Sequence, residues 1–190
     1  MKVLQLIDSL KPGGAEHMAV NYSNLLQNNN IESHICITRE EGLLKEGIDP
    51  NVYYIFLAKK STLDIPAFIR LRDYIKKHQI DIIHAHSTSY FIATLVKITY
   101  PSIKLIWHDH YGNSEFLNDR KTQVLKYCSL YFDGIISVNL KLKKWSLENL
   151  QCERVIEVNN FITVQSQESL EEKIKGDPSA FKIICVANLR

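Results

Sequence analysis

The chain has 190 residues, of which 45% are hydrophobic and 23% are charged, and its formal net charge is +2. A chain of this length and composition buries a sizeable core and is typical of one domain with a short appendage. A net charge this small gives no support for a nucleic-acid partner, and none is expected. The cysteines are widely spaced and lack a CxxC pair, which favours reduced thiols in a cytosolic chain.

Short apolar segments argue against secretion and against a membrane span. The stretch Val3 to Ile7 ends at Asp8 and is too short for a secretory signal. The segment YFIATLVKITY contains Lys97 and is too short to cross a bilayer. We therefore expect a cytoplasmic protein.

Short apolar runs alternate with helical patterns along most of the chain. The predicted strands are KVLQLI, ESHICIT, VYYIFL, DIIHAH, IKLIWH, GIISV, RVIEV and KIICVA. Continuous apolar runs are typical of strands covered on both faces, as in a parallel sheet. Helices are predicted over residues 15–27, over 61–79, from near Glu115 to the segment SLYFDG, and over 139–150. The prediction is an α/β fold with a Rossmann-like, doubly wound, mostly parallel sheet and right-handed crossovers.

The chain becomes polar over Thr163 to Ala180, which includes a Gly-Asp-Pro turn. This composition favours a linker with a short helix around Glu168 to Lys175. We therefore expect a first domain over 1–165, a linker over 166–180 and, over 181–190, the first strand of a truncated second domain.

Two adjacent glycines, Gly13 and Gly14, follow the first strand and are followed in turn by Glu16. The dinucleotide pattern GxGxxG and the P-loop pattern GxxxxGK[ST] are both absent. Two interpretations stay open. The free N–H groups of a helix N-terminus attract a phosphate, or the glycines form an ordinary turn at positive φ while Glu16 complements the helix dipole.

Polar side chains follow several predicted strands, where a doubly wound sheet binds its ligands. The string IIHAHSTSY places His84 and His86 on one side of the fourth strand. Two histidines without a third ligand predict no metal site. His84 is interpreted as a core residue, and His86 as either a core or a site residue. The other polar residues at strand ends include Asp8, Asn139, Asn159 and Asn160.

The string IWHDHYGN brings His108, Asp109 and His110 together after the fifth strand. Histidine beside an acid suits acid–base chemistry or hydroxyl binding near neutral pH. The alternative is a strand end followed by a solvated turn.

Two predicted helices carry basic surfaces beside apolar residues. Such surfaces either contact an anionic membrane, as a peripheral protein does, or are ordinary solvated faces. They comprise Lys141, Lys143, Lys144 and Trp145 on one helix, and Arg70, Arg72, Lys76 and Lys77 on the other.

Taken together, the strings GGAE, DIIHAHS, LIWHDHYG, GIISVNLKLKKW, VIEVNNFI and KIICVANLR resemble, in this order and spacing, the N-terminal half of a GT-B glycosyltransferase of family 4. The resemblance implies two Rossmann-like domains that face a cleft. The second would grip a nucleotide-sugar donor, and the first would bind a glycan or lipid-linked acceptor. It further implies transfer with retention of anomeric configuration, a role in polysaccharide biosynthesis at the inner face of the membrane, and no cofactor or metal ion.

The resemblance also assigns individual residues. Gly13, Gly14 and Glu16 match the loop that faces the phosphate and sugar of the donor. The family's histidine corresponds to His108 or to His110, and both are catalytic candidates.

Acceptor or sugar binding is expected for His86, Asp109 and Asn160. Asn160 matches the asparagine of an "NG" turn, although Phe161 stands where glycine is usual. Arg190 is displaced along the chain from the family's arginine, and an ExxxxxxxE element is absent.

We therefore expect a glycosyltransferase as the parent protein and no activity from this chain alone. An alternative is a stand-alone carbohydrate-binding or protein-interaction module. A nucleotide-dependent epimerase or dehydrogenase would need a dinucleotide loop and a YxxxK pair, which the chain lacks.

Overall fold

A parallel sheet flanked by helices forms the fold. The computed structural model describes residues 1–112, 116–117 and 120–161. Its strands are β1 (Lys2–Ser9), β2 (Glu32–Glu40), β3 (Tyr53–Phe56), β4 (Ile82–His86), β5 (Lys104–Asp109), β6 (Gly134–Ser137) and β7 (Val155–Glu157). Its α-helices are α1 (Gly14–Asn28), α2 (Ile65–His78), α3 (Tyr90–Thr99), α4 (Gln123–Cys128) and α5 (Leu140–Asn149).

The described strands pair in parallel in the order β3-β2-β1-β4-β5-β6-β7. This order confirms the predicted doubly wound α/β fold. The predicted strand KIICVA, the linker and its short helix lie outside the described residues.

The chain reverses its direction of travel across the sheet between β1 and β4. Because βαβ crossovers are right-handed, α1 covers one face and α2 to α5 cover the other. On the first face, Ala19 and Val20 of α1 pack with Ile7, Ile35 and Ile37. A larger cluster on the opposite face joins the other helices to the sheet through residues that include Leu71, Ile92, Leu125 and Trp145.

One predicted helix is wrong at its N-terminus. It was expected to begin near Glu115, but α4 begins at Gln123, and Thr122 before it makes no side-chain cap. Residues 120–122 are not helical, and the side chain of Arg120 is bound to Asp109 at the end of β5. Glu115 itself lies outside the described residues.

The helix α3 forms from YFIATLVKIT, which the sequence analysis noted only as an apolar segment. Its β-branched residues are poor helix formers, but tertiary packing overrides propensity. Ile92, Ala93 and Val96 are buried in the larger core cluster. None of the helices described here combines the length and apolarity needed to span a membrane.

Three of the cysteines lie in the buried core. Cys36, Cys128 and Cys152 are buried free thiols, whereas Cys185 lies outside the described residues.

Side-chain caps fix the start of two helices. Asp64 accepts a hydrogen bond from the backbone N–H of Ala67 at the N-terminus of α2, where Pro66 occupies the first turn. Asn139 accepts one from Leu142 N–H at the N-terminus of α5, at 2.9 Å. Asn139 therefore stabilises a helix rather than facing a ligand.

We expect Asn139→Ala to lower the free energy of unfolding by about 1 kcal/mol, because the first turn of α5 loses its side-chain acceptor. Urea unfolding followed by circular dichroism measures this change. Asn139→Asp, which retains a capping oxygen, is the matched control and should stay within a few tenths of a kcal/mol of the unmodified protein. Equal stabilities for the alanine and aspartate variants would contradict the capping role.

Candidate functional site at the carboxyl edge of the sheet

The candidate site lies where β1, β4 and β5 end side by side. Leu6 of β1 is paired with Ala85 of β4, and His86 of β4 is paired with His108 of β5. This edge includes the point between β1 and β4 where the strand order reverses, which is where doubly wound sheets bind ligands. His86 and His108, predicted from separate parts of the chain, are therefore neighbours.

The glycine loop passes from β1 into α1. Gly13 has an extended backbone with φ of −167°, and neither Gly13 nor Gly14 is in the left-handed region. The interpretation of the loop as a turn that needs positive φ is therefore wrong. A Cβ atom on Gly13 would collide with the carboxylate of Glu16, whereas one on Gly14 would lie 4.0 Å from Nδ2 of Asn160.

This geometry brings the glycine loop, Glu16 and Asn160 together at the N-terminus of α1. No side chain caps the N-terminus of α1, so its first N–H groups stay available to an anion. Asn160 lies next to Gly14 although the two residues are far apart in the sequence. Glu16 folds back over Gly13, and an incoming phosphate would have to displace its carboxylate.

Four imidazoles lie against the α1 face of the sheet, and we call His84, His86, His108 and His110 the histidine cluster. His84 Nε2 lies 3.2 Å from His108 Nδ1, and His86 Nδ1 lies 3.0 Å from His110 Nε2. Tyr22 of α1 packs over the cluster, with ring centroids 5.0 Å from His84 and 5.7 Å from His108.

The hydrogen bonds assign the tautomers of one pair. His86 Nε2 donates to Gln5 Oε1 at 2.8 Å, so a neutral His86 accepts at Nδ1 and His110 donates to it from Nε2. The Nδ1 atom of His110 then carries a lone pair, and this buried atom has no partner. The Nε2 atom of His108 is likewise buried without a partner.

Burial keeps the histidine cluster neutral. It lowers the pKa of His110 to about 4 and that of His84 to about 3, from an ordinary 6.5. Burial, and then the neighbouring imidazoles, lowers the pKa of His86 and of His108 far below the ordinary value. Neutral imidazoles are hydrogen-bonding groups and metal ligands rather than fixed positive charges.

The cluster also supplies what the sequence analysis found missing for a metal site. One ligand nitrogen from each of His84, His86 and His108 lies within 4.8 Å of those of the other two. The third imidazole comes from β5, and its approach depends on strand pairing rather than on spacing along the chain.

Asp109 is buried, with 1% of its side chain exposed, and it is bound by Arg120. Its two oxygens accept from the guanidinium at 2.7 and 2.9 Å, and Oδ1 also accepts from the N–H of Tyr111. The guanidinium of Arg120 lies over the rings of Tyr111 and Trp145, 4.5 and 4.3 Å from their centroids. Asp109 therefore holds the loop after β5, and little of its hydrogen-bonding capacity is left for a substrate.

A cavity of about 340 Å³ opens between the ends of β4 and β5 and this loop. Residues lining it include Ser87, Thr88, Tyr90, His110, Tyr111 and Lys121. Ser87 has a φ of 49°, which is uncommon for a non-glycine residue, and its carbonyl accepts from the indole N–H of Trp107 at 2.9 Å. The cavity combines aromatic rings with hydroxyl and imidazole groups.

The predicted site residues thus lie in different surroundings: in the cavity wall, in the buried core and beside the glycine loop. His110 lines the cavity, whereas His108 is fully buried beneath it. His86 is also fully buried, and Asn160 is exposed beside the glycine loop. The carboxylate of Asp8 accepts hydrogen bonds from the hydroxyls of Thr38 and Thr88.

Sequence reasoning missed Arg120, Tyr111, Ser87 and Thr88. Arg120 belongs to no motif, and only the three-dimensional contact with Asp109 reveals it. The assignment of Trp145 to a basic surface that is either membrane-contacting or solvated is wrong, since Trp145 is buried against Arg120.

The fold is shared with solved glycosyltransferases of the GT-B class. The Anabaena protein HepE in complex with UDP and glucose is 15% identical, with a TM-score of 0.66, and the match covers 85% of this chain and 45% of that one. Sucrose-phosphate synthase from Thermosynechococcus elongatus is 12% identical, with a TM-score of 0.64 and coverages of 84% and 48%. The lipopolysaccharide outer core galactosyltransferase WaaB is 13% identical, with a TM-score of 0.61 and coverages of 87% and 47%.

At these identities the likeness shows the fold, and the chain spans less than half the length of each of these proteins. The sequence profile of Glycosyltransferase Family 4 matches residues 12–165. The chain belongs to glycosyltransferase family 4. No curated protein sequence matches it.

The neutral histidine cluster predicts sensitivity to acid. From pH 6.5 down to about 4, the unfolded chain binds protons that the native protein does not, because the native pKa values are lowered. The free energy of unfolding should therefore fall with pH, by about 1.4 kcal/mol per pH unit for each buried histidine. Urea midpoints measured between pH 7.5 and 4.5, with a chelator present, test this.

The variant His110→Gln should show a shallower pH dependence, because one titrating group is removed. His17→Gln, at an exposed position of α1, is the control and should leave the dependence unchanged. A urea midpoint that does not change between pH 7.5 and 5 would contradict the prediction.

Proposed function

We propose that residues 1–165 form the acceptor-binding domain of a retaining glycosyltransferase that uses a nucleotide-sugar donor. Residues 166–180 would form the linker and residues 181–190 the start of the donor-binding domain. The observation that carries the proposal is the convergence of the uncapped glycine loop and the cavity at one edge of the sheet. Family membership supplies the reaction type.

The cavity suits a saccharide acceptor. Its volume of about 340 Å³ falls within the range of small-ligand sites. Tyr90 and Tyr111 offer flat apolar faces, and Ser87, Thr88 and His110 offer hydrogen-bonding groups to hydroxyls. The acceptor would be a glycan or a lipid-linked sugar.

The glycine loop suits the donor. The free N–H groups of α1 and its dipole favour the diphosphate by about 0.3–1 kcal/mol, and the absence of side chains at Gly13 and Gly14 allows close approach. The amide of Asn160, 4.0 Å from a Cβ position on Gly14, is placed to bind a donor hydroxyl.

In the proposed reaction, the leaving diphosphate accepts the proton of the acceptor hydroxyl on the face from which it departs. Positioning and charge stabilisation supply most of the rate. His110 lines the cavity and is neutral, so it would provide no positive charge to the reaction. No cofactor or metal ion is required for this step.

The location of the reaction is also a proposal. We propose a cytoplasmic protein in polysaccharide biosynthesis that meets its acceptor at the membrane surface. The exposed Leu140 and Leu147 accompany Lys144 on α5, and this combination suits contact with an anionic bilayer. By itself, the chain would bind acceptor without transferring sugar.

Saccharide binding tests the cavity. We expect Tyr111→Ala to weaken the binding of responsive oligosaccharides at least 10-fold, because an aromatic wall of the cavity is lost. Titration calorimetry with an oligosaccharide panel measures this. Tyr127→Ala, which removes a ring that is 73% exposed on α4, is the matched control and should bind normally. Equal binding by the two variants would place the acceptor elsewhere.

Sugar transfer tests the reaction. With the product of the whole gene and a panel of nucleotide sugars, we expect one donor to support transfer and Gly14→Ala to lower kcat/KM at least 10-fold. The new methyl group fits the free protein but obstructs the diphosphate. Gly47→Ala, whose Cβ would lie 3.9 Å from Val20 Cγ1 in an ordinary contact, is the control and should transfer normally.

Saccharide binding without transfer from any donor would instead support the carbohydrate-binding module. Normal transfer by Gly14→Ala would contradict the role of the loop.

A further inference from the structure

We propose that His84, His86 and His108 form a binding site for a divalent transition metal of the zinc type. The site lies between β4, β5 and α1, and it is separate from the cavity proposed for the acceptor. Nothing in the proposed transfer reaction uses it.

Distances between the imidazoles support the site. Two nitrogens bound to one tetrahedral zinc ion at about 2.0–2.1 Å lie roughly 3.3 Å apart. His84 Nε2 and His108 Nδ1 are already 3.2 Å apart. The ligand nitrogens of all three residues lie within 4.8 Å of one another. Side-chain rotations that move each nitrogen by about an ångström would bring them around one ion.

The second shell of one ligand is also in place. A metal-bound histidine usually donates its other ring N–H to an oxygen, which fixes the ring and its tautomer. His86 makes this bond from Nε2 to Gln5 Oε1 at 2.8 Å. Its Nδ1 atom consequently carries a lone pair, which accepts from His110 Nε2 at 3.0 Å and which an ion would take over from that N–H group.

Burial and donor chemistry select the class of ion. His84, His86 and His108 are all buried, and the three donors are imidazole nitrogens, which suit zinc, copper, nickel and iron rather than magnesium or calcium.

Tyr22 connects the site to the rest of the edge. Its ring packs on His84 and His108 from one side and on Phe161 from the other, 5.1 Å between centroids. A bound ion would link β4 to β5 beneath α1. It would thereby stabilise the surface against which α1, the helix that follows the glycine loop, is packed.

The experiment uses the 190-residue chain without an affinity tag, stripped with a chelator, incubated with ZnCl₂ and desalted. Elemental analysis should give one zinc ion per chain. With free zinc at about 100 times the dissociation constant, the Tm should rise by about 5–10 °C, and MgCl₂ should cause no rise. Absence of zinc after desalting, together with an unchanged Tm, would overturn the proposal.

Variants locate the ion. His84→Gln and His108→Gln should each weaken zinc binding at least 10-fold. His34→Gln, which changes a buried histidine on β2 outside the cluster, is the matched control and should bind zinc normally. Zinc binding that persists in both cluster variants, or that is lost only in the control, would overturn the site.

A measurement on the unmodified protein covers the case in which the cluster variants fail to fold. One equivalent of zinc should shift the imidazole ¹⁵N resonances of His84, His86 and His108 in the NMR spectrum. Shifts confined to His17, His34 or His78 would place the ion elsewhere and overturn the proposal.

Discussion

Parallel pairing of β1 with β4 is the constraint on which the rest of the structure depends. Leu4 lies opposite Ile83 and Leu6 opposite Ala85, and the chain leaves this pair in opposite directions. Right-handed crossovers then place α1 alone on one face and the other helices on the opposite one. The carboxyl ends of the central strands meet at one edge, and the glycine loop, the histidine cluster and the cavity all occupy that edge.

The α1 face of the central strands carries an unusual cost. Four imidazoles and Gln5 replace the aliphatic side chains that fill the rest of the core, and three of their nitrogens have no hydrogen-bond partner. Buried polar atoms without partners destabilise a fold by about 1–3 kcal/mol each. Such a cost is typical of a site that is kept for a ligand rather than for stability.

The architecture could be predicted from the sequence because it depends on local patterns. Continuous apolar runs predicted the strands, and periodic patterns predicted α1, α2 and α5. The ion pair between Arg120 and Asp109, close to the start of α4, could not be predicted, because folding rather than a local pattern brings the two residues together. Asn139 carried a usable signal, since asparagine before an apolar helix is a common cap.

The candidate site was predictable only in part, for the same reason. Sequence strings near the ends of strands indicated His86, His110 and the glycine loop. The hydrogen-bond partners of His86, however, are Gln5 on β1 and His110 after β5. The pairing of β4 with β5 places His108 beside His86, and spacing along the chain does not reveal this. Asp109 was expected to meet a sugar, whereas Arg120 already takes both of its oxygens.

The stacking of Arg120 on Trp145 shows that a residue can shape the cavity without lining it. Trp145 belongs to α5 and does not touch the cavity, yet its ring supports the guanidinium that holds the loop after β5. The position of Arg120 therefore depends on the packing of a helix that does not line the cavity. A change at this tryptophan would therefore alter the shape of the cavity without any substitution in its wall.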